Sequence, residues 1–203
     1  KAAHFFREKT NTAKGVTISL SKKIPTERGL GGGSSDAAAT LIALNKLWET
    51  RLNTNQLMKI GLELGSDVPF FIHGRSAWAE GRGELITELH LPKMWYLLAF
   101  PKTKISTKEA FEDIRIPEVS LINKEDFLLG KSRNTFTSWV KDKFPDIRAT
   151  FNLLDSLGVP KLTGTGSTIF LSFKNEEEAN KALSIFPQGI VVESLDDSPL
   201  RQL

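Results

Sequence analysis

The sequence predicts an α+β chain in two parts, and three observations carry that expectation. Several segments repeat apolar residues at helical spacing. Short apolar or alternating runs stand between them, and Gly- and Pro-rich turns separate the two kinds. A change in composition around Leu91-Pro92 marks a boundary, so the expected domains are residues 1–90 and 91–203.

The elements follow in order. Lys1-Ala2-Ala3-His4-Phe5-Phe6-Arg7-Glu8 reads as the interior of a helix. Gly15 to Leu20 sets Val16, Ile18 and Leu20 against polar Thr17 and Ser19, which predicts a strand ended by Pro25. A helix is expected from Asp36 to Trp48, with Ala37, Leu41, Leu44 and Trp48 on one stripe. Another is expected from Thr54 to Leu64, with Asn53 and Gln56 as a capping box and Gly65 as a C′ stop. Ser76 to Glu80 reads as a short strand before the tight turn Gly81-Arg82-Gly83-Glu84.

In the second half, Trp95 to Phe100 is a buried strand closed by Pro101. Helices are expected over Lys108–Ile114, Asn134–Phe144 and Ile147–Leu157. Lys161–Thr163 and Thr168–Phe173 are strands around a glycine turn. Asn175 and Glu178 cap a helix that ends near Phe186, and Ile190–Glu193 is the last strand.

Composition removes several function classes. Of 203 residues, 40% are hydrophobic and 25% charged, too apolar for general disorder. The absence of cysteine excludes a disulfide framework, a thiolate metal site and a cysteine nucleophile, and suits a reducing, cytoplasmic setting. The net charge of +3 is spread over interleaved signs, so no nucleic-acid-binding face is expected. Apolar runs such as Trp95–Phe100 fall far short of the roughly 20 residues that span a membrane. His4, His73 and His90 are scattered without metal-ligand spacing.

Three segments carry chemistry. In the first, Pro25 precedes Gly29-Leu30-Gly31-Gly32-Gly33-Ser34-Ser35 at the entry to a helix. Glycines there let backbone N–H groups approach an anion, and the helix dipole adds to them. The Ser34 and Ser35 hydroxyls supply further donors, or a ligand for a phosphate-bound cation. A flexible linker is the alternative for this composition. It is neither a P-loop, which needs Gly-Lys-Ser/Thr, nor a dinucleotide fingerprint, which wants glycine where Asp36 stands.

The second is Gly65-Ser66-Asp67-Val68-Pro69. A carboxylate held between a helix stop and a proline turn can orient and deprotonate an attacking hydroxyl, or can simply cap the next turn. The third is Leu162-Thr163-Gly164-Thr165-Gly166-Ser167-Thr168, which fits either a loop laid against a substrate or the first loop, or a hairpin connection.

Taken together, these segments resemble the GHMP kinases, whose ATP motif is similar to Gly29-Leu30-Gly31-Gly32-Gly33-Ser34-Ser35-Asp36-Ala37-Ala38. Leu64–Phe71, Ala79–Glu84, Leu162–Gly166 and the closing Ser198-Pro199-Leu200 resemble, more narrowly, the 4-diphosphocytidyl-2-C-methyl-D-erythritol kinases. The resemblance implies phosphorylation of the 2-hydroxyl of a cytidine-diphosphate-linked methylerythritol by ATP, a step of the non-mevalonate isoprenoid pathway. It implies Asp67 as the catalytic aspartate, Pro25 and Gly29–Ser35 as the ATP loop, and Thr163, Gly164, Thr165, Gly166 and Ser167 near the transferred phosphate. Mg²⁺ is expected with the nucleotide, with Ser35 as a candidate ligand.

The resemblance also implies a two-domain fold: a ribosomal-protein-S5-like N-terminal domain and a ferredoxin-like C-terminal one. The family's opening strand, with its Pro-Ala-Lys-Ile-Asn motif, and its Gly-Tyr-His segment have no match in this chain. The lysine of that strand pairs with the catalytic aspartate, so the expectation is an N-terminal domain truncated at its start and a 203-residue chain inactive alone. A different GHMP kinase, a nucleotide-binding module without catalysis and a purely structural domain are the other readings.

Overall fold

Residues 1–115 and 122–202 are described by a computed structural model, in which the chain divides into two units. The first comprises Lys1–Lys23, Gly31–Pro92 and Leu195–Leu203, and the second Ile24–Leu30 and Lys93–Ser194.

In the first unit, helices α1 (Ala2–Thr10), α2 (Gly32–Leu47), α3 (Thr54–Leu64) and α4 (Val68–His73) surround one core. Phe6, Leu41, Leu44, Trp48, Leu57, Val68 and Ile72 fill it, and the Phe6 and Trp48 rings stack at 5.9 Å. The stripe expected on α2 is buried at Leu41, Leu44 and Trp48, because a period of 3.6 residues keeps those positions on one face. The helix begins at Gly32 rather than Asp36, so the glycine run supplies its first turn. The capping box on α3 forms as expected: Gln56 N donates to Asn53 Oδ1 at 3.0 Å, and Asn53 N to Gln56 Oε1 at 2.9 Å.

One expectation fails here. No strand forms over Gly15–Leu20, where Val16, Ile18 and Leu20 are 40%, 54% and 62% exposed. Alternation makes a strand only where a neighbour pairs its N–H and C=O groups, and among the described residues none does. Gly65 does end α3, but with φ 173°, an extended backbone open to any residue rather than a left-handed cap.

A hairpin completes this unit. Strands β1 (Ala77–Glu80) and β2 (Leu85–Glu88) pair antiparallel, with Ala77 opposite Glu88 and Glu80 opposite Leu85. The Gly81–Glu84 turn joins them as the sequence predicts; β2 itself lacks any strong periodicity.

The second unit is a four-stranded antiparallel sheet, ordered β4-β5-β3-β6. Its strands are β3 (Trp95–Ala99), β4 (Lys161–Leu162), β5 (Ile169–Phe173) and β6 (Ile190–Glu193). Between β3 and β4 come α5 (Thr107–Asp113), α6 (Lys124–Leu128), α7 (Phe136–Lys143) and α8 (Pro145–Asp155), and α9 (Glu176–Ile185) links β5 to β6. This is the βαββαβ order and strand arrangement of a ferredoxin-like domain, as expected. Leu97 faces Leu171 and Ala99 faces Ile169 across the ladder, all buried with Ile147, Phe151 and Leu154 of α8. Helix α8 starts at Pro145, ahead of the expected Ile147, because proline at the first position lacks only an N–H that would have no helical partner.

Asp146 ties α8 to the loop after β3. It accepts from Thr103 N and Thr103 Oγ1, both at 2.8 Å. Burial pushes its carboxyl pKa up, but the Thr103 hydrogen bonds, with the N–H groups of Ile147 and Asp146 itself, together hold it below the usual aspartate value. A carboxyl whose pKa is lower in the folded state stabilises the fold above its unfolded value and loses that contribution as the pH falls through the folded one. Asp146→Asn is therefore expected to cost about 1 kcal/mol at pH 7. Urea midpoints of the two proteins should converge below the ordinary carboxylate range.

Candidate active site

The glycine run is a fixed turn at a helix start. Gly31 is the N-cap of α2 in the left-handed region, φ 65° and ψ 12°, and no side chain caps the helix. A Cβ at Gly31 would stand 2.8 Å from the Phe71 ring, so the loop lies tight against α4. Gly32, Gly33, Ser34 and Ser35 form the first turn, with Ser35 N donating to Gly31 O at 2.9 Å. The N–H groups of Gly32, Gly33 and Ser34 are among those that a helix leaves without internal partners. Together with the positive end of a 16-residue helix they offer donors suited to an anion. The linker alternative does not survive this geometry.

Asp67 stands immediately before α4, where its backbone carbonyl accepts from Phe71 N at 3.4 Å. Asp67 and Phe71 are four residues apart, hence on one side of the chain, and Phe71 is the ring against Gly31. Asp67 therefore stands one helical turn before the ring that packs on the glycine loop. The Asp67 side chain does not cap α4, is exposed, and has no hydrogen bond or ion pair among the described residues. Capping is therefore not its role.

The Gly81–Glu84 turn lies over the residue before this carboxylate. A Cβ at Gly83 (φ 111°) would run into the Ser66 carbonyl, whereas one at Gly81 would meet the movable end of Glu84. Gly83→Ala is expected to shift Ser66 and Asp67 and lower kcat by about tenfold to a hundredfold. Gly81→Ala should leave kcat within about threefold, since the Glu84 side-chain end can move aside, while the left-handed backbone at Gly81 (φ 68°) costs about 1 kcal/mol of stability. Steady-state kinetics on the pair, beside their melting temperatures, checks both.

In the second unit, Gly29 packs backbone to backbone against the Thr163–Ser167 loop. Thr163 Oγ1 donates to Gly29 O, Thr168 N to Arg28 O at 3.2 Å, and a Cβ at Gly164 would stand 2.9 Å from Gly29 O. The third loop lies against the first, one of the two arrangements the sequence allowed. Thr165 and Ser167 are buried. The Ser167 hydroxyl donates to Thr103 O at 2.6 Å and accepts from Arg28 Nη1 at 2.9 Å, so it is already engaged within the protein. Pro25 is exposed and Leu30 partly so.

Arg28 escaped the sequence reading. Its Nη1 reaches the Pro101 carbonyl, Thr103 O at 2.8 Å and Ser167 Oγ, while Ile105 N donates to Glu27 O at 3.1 Å. With Thr103 and Asp146 it fastens the start of the glycine loop. Asn134 was missed too, as more than a helix boundary: its Nδ2 holds Leu162 O at 3.0 Å and Gly164 O at 2.8 Å. Nothing in the local pattern marks either residue, because their partners are backbone carbonyls far away in sequence.

Comparisons with known proteins identify the family and the fold. The family described as GHMP kinases N terminal domain matches residues 1–75, and that described as GHMP kinases C terminal matches residues 110–190. A 4-diphosphocytidyl-2-C-methyl-D-erythritol kinase of Nitrosococcus oceani is 42% identical over 207 residues, covering 98% of this chain and 73% of that protein. A crystal structure of 4-(cytidine 5'-diphospho)-2C-methyl-D-erythritol kinase superposes with a TM-score of 0.75 at 29% identity, over 95% of this chain and 75% of that one. Homoserine kinase from Cytophaga hutchinsonii shares the fold, with a TM-score of 0.66 at 16% identity over 97% of this chain and 75% of the other.

Proposed function

Because the chain belongs to the 4-diphosphocytidyl-2-C-methyl-D-erythritol kinase family of the GHMP kinases, we propose that it transfers the γ-phosphoryl group of ATP to the 2-hydroxyl of 4-diphosphocytidyl-2-C-methyl-D-erythritol. The observation that supports this most is the uncapped start of α2 at the glycine run, with Phe71, one turn after Asp67, packed on Gly31.

In this reading Gly31–Ser35 hold the nucleotide phosphates through backbone N–H groups, with the α2 dipole favouring their charge. Asp67 accepts the hydroxyl proton as the new O–P bond forms and the bond to ADP breaks. A loose transition state asks the base mainly to orient the nucleophile, which an ordinary exposed carboxylate can do. Thr163, Gly164, Thr165 and Gly166 back the loop at Gly29, and Ser167 holds Arg28 and Thr103 in place behind it. Pro25 and Leu30 shape the entry to the loop.

Among the described residues no group of three His, Cys, Asp or Glu side chains is placed to hold a metal. Mg²⁺ would be carried by the nucleotide phosphates with one or two protein groups, the Ser35 hydroxyl being the candidate here. When bound, the ion neutralises charge on the transferring phosphoryl group. No helix among the described residues is long and apolar enough to cross a membrane. A small-molecule substrate in the cytoplasm is the setting this reading assigns, with no nucleic-acid or membrane partner. ADP release by the complete gene product, measured with ATP and three acceptors, tests it: turnover is expected with cytidine-diphospho-methylerythritol and not with mevalonate or homoserine. Equal turnover of homoserine would overturn the substrate assignment and leave the kinase.

A further inference from the structure

The Ser198-Pro199-Leu200 motif has no part in the chemistry above, yet it lies against the far end of the helix that carries Asp67. Helix α4 has only six residues, too few to hold its shape alone. Val68, Pro69 and Ile72 bury its inner face, but burial is not directional and leaves roll and tilt loosely set. Directional bonds come from residues 197–201. Ser198 N donates to Gly74 O at 2.8 Å, directly after the helix. Arg201 Nη1 donates to the carbonyl of His73, its last residue, at 3.0 Å, where a cation also suits the negative end of the helix.

The same segment is braced from outside. Asp197 Oδ1 accepts from Arg75 Nε at 2.8 Å and lies 3.0 Å from Arg201 Nε, and Arg75 and Asp197 form a β-bridge. Arg75 Nη1 reaches both Glu88 oxygens, at 2.9 and 3.2 Å, so the brace extends to β2 of the hairpin whose turn lies on Ser66. A Cβ at Gly74 would stand 2.8 Å from Arg201 Cγ, which leaves the arginine stem no slack.

We propose that Asp197–Arg201 is a positioning latch for Asp67, acting through α4 from the end opposite the carboxylate, with Arg201 as its principal residue. The latch touches no reacting atom. It removes the freedom of a short helix to turn its first residue away from the phosphate loop. The proposal rests on the kinase reading for its consequence in rate, but the geometry it asserts is testable without it.

The test compares the unmodified chain with Arg201→Ala, Arg201→Lys and Asp197→Asn. Amide hydrogen exchange is read over residues 66–74, with residues 38–47 of α2 as an internal reference. Arg201→Ala should raise exchange at Phe71 and Gly74 by about tenfold with α2 unchanged. It should also lower kcat by about tenfold while the KM for ATP stays within about twofold. Arg201→Lys, which keeps a donor and a charge, should recover most of both, and Asp197→Asn should fall between. Unaltered exchange over 66–74, or exchange rising equally in α2, would overturn the latch. A change in KM without kcat would overturn it as well. The kinetic comparison uses the complete gene product; absence of turnover there would count against the kinase reading alone, and the exchange comparison would still decide the latch.

Discussion

Asp67→Asn is expected to lower kcat by about a thousandfold, within the usual worth of a general base. That corresponds to about 4 kcal/mol of transition-state stabilisation. The KM for ATP should hardly move, since the proposed function assigns the phosphates to backbone donors of α2 rather than to this carboxylate. The melting temperature should stay within about 1 °C, because an exposed side chain with no partner contributes little to the fold. Asn keeps the size and loses the basicity, so the variant separates proton acceptance from shape. ADP release under saturating substrates measures it, with a thermal melt beside it. A nucleotide-binding module without catalysis would tolerate the change, and retention of full activity would refute Asp67 as the base.

Gly31→Val is the second large effect, and it acts on binding. The left-handed backbone at φ 65° costs an L residue about 1–2 kcal/mol, and more for a branched one. The new side chain must also displace the Phe71 ring, which would stand 2.8 Å from its Cβ, and overpacking of that kind costs about 1–3 kcal/mol. Either relaxation moves the start of α2 against α4. ATP affinity is expected to fall by about a hundredfold. The melting temperature should drop by roughly 5–10 °C. Gly33→Ala is the counterpart: its backbone is helical and nothing lies within 4 Å of the added Cβ. That variant should gain about 0.5–1 kcal/mol of stability. Any loss of ATP affinity it shows reports the close approach of a phosphate. Isothermal titration with a non-hydrolysable ATP analogue distinguishes the two positions.

The elements most legible from sequence were those whose signals are local. The Asn53–Gln56 capping box, the Asn175 cap of α9, where Glu178 N donates to Asn175 Oδ1 at 2.9 Å, and β6 over Ile190–Glu193 all form where the pattern puts them. Gly15–Leu20 shows the limit. Its alternation is genuine, but a strand is a property of a pair, and no second strand stands beside it among the described residues. Conversely, α6 and β2 form on patterns too weak to announce them.

For the site, residue type and spacing determined the chemistry on offer: a glycine-rich helix start that favours anions, a carboxylate beside a proline turn, and a second glycine loop. Such features follow from backbone conformational freedom and helix polarity, which act over a few residues and so are written locally. Only the tertiary structure decided how they are placed. It set Phe71 on Gly31, Gly83 on Ser66, Gly29 on Thr163, and residues 197–201 on the end of α4. It also committed Ser167 and Arg28 to holding the loop, through carbonyls more than sixty residues away in the chain. These are contacts of excluded volume and directional hydrogen bonding between distant segments, and neither has a local pattern from which to read it.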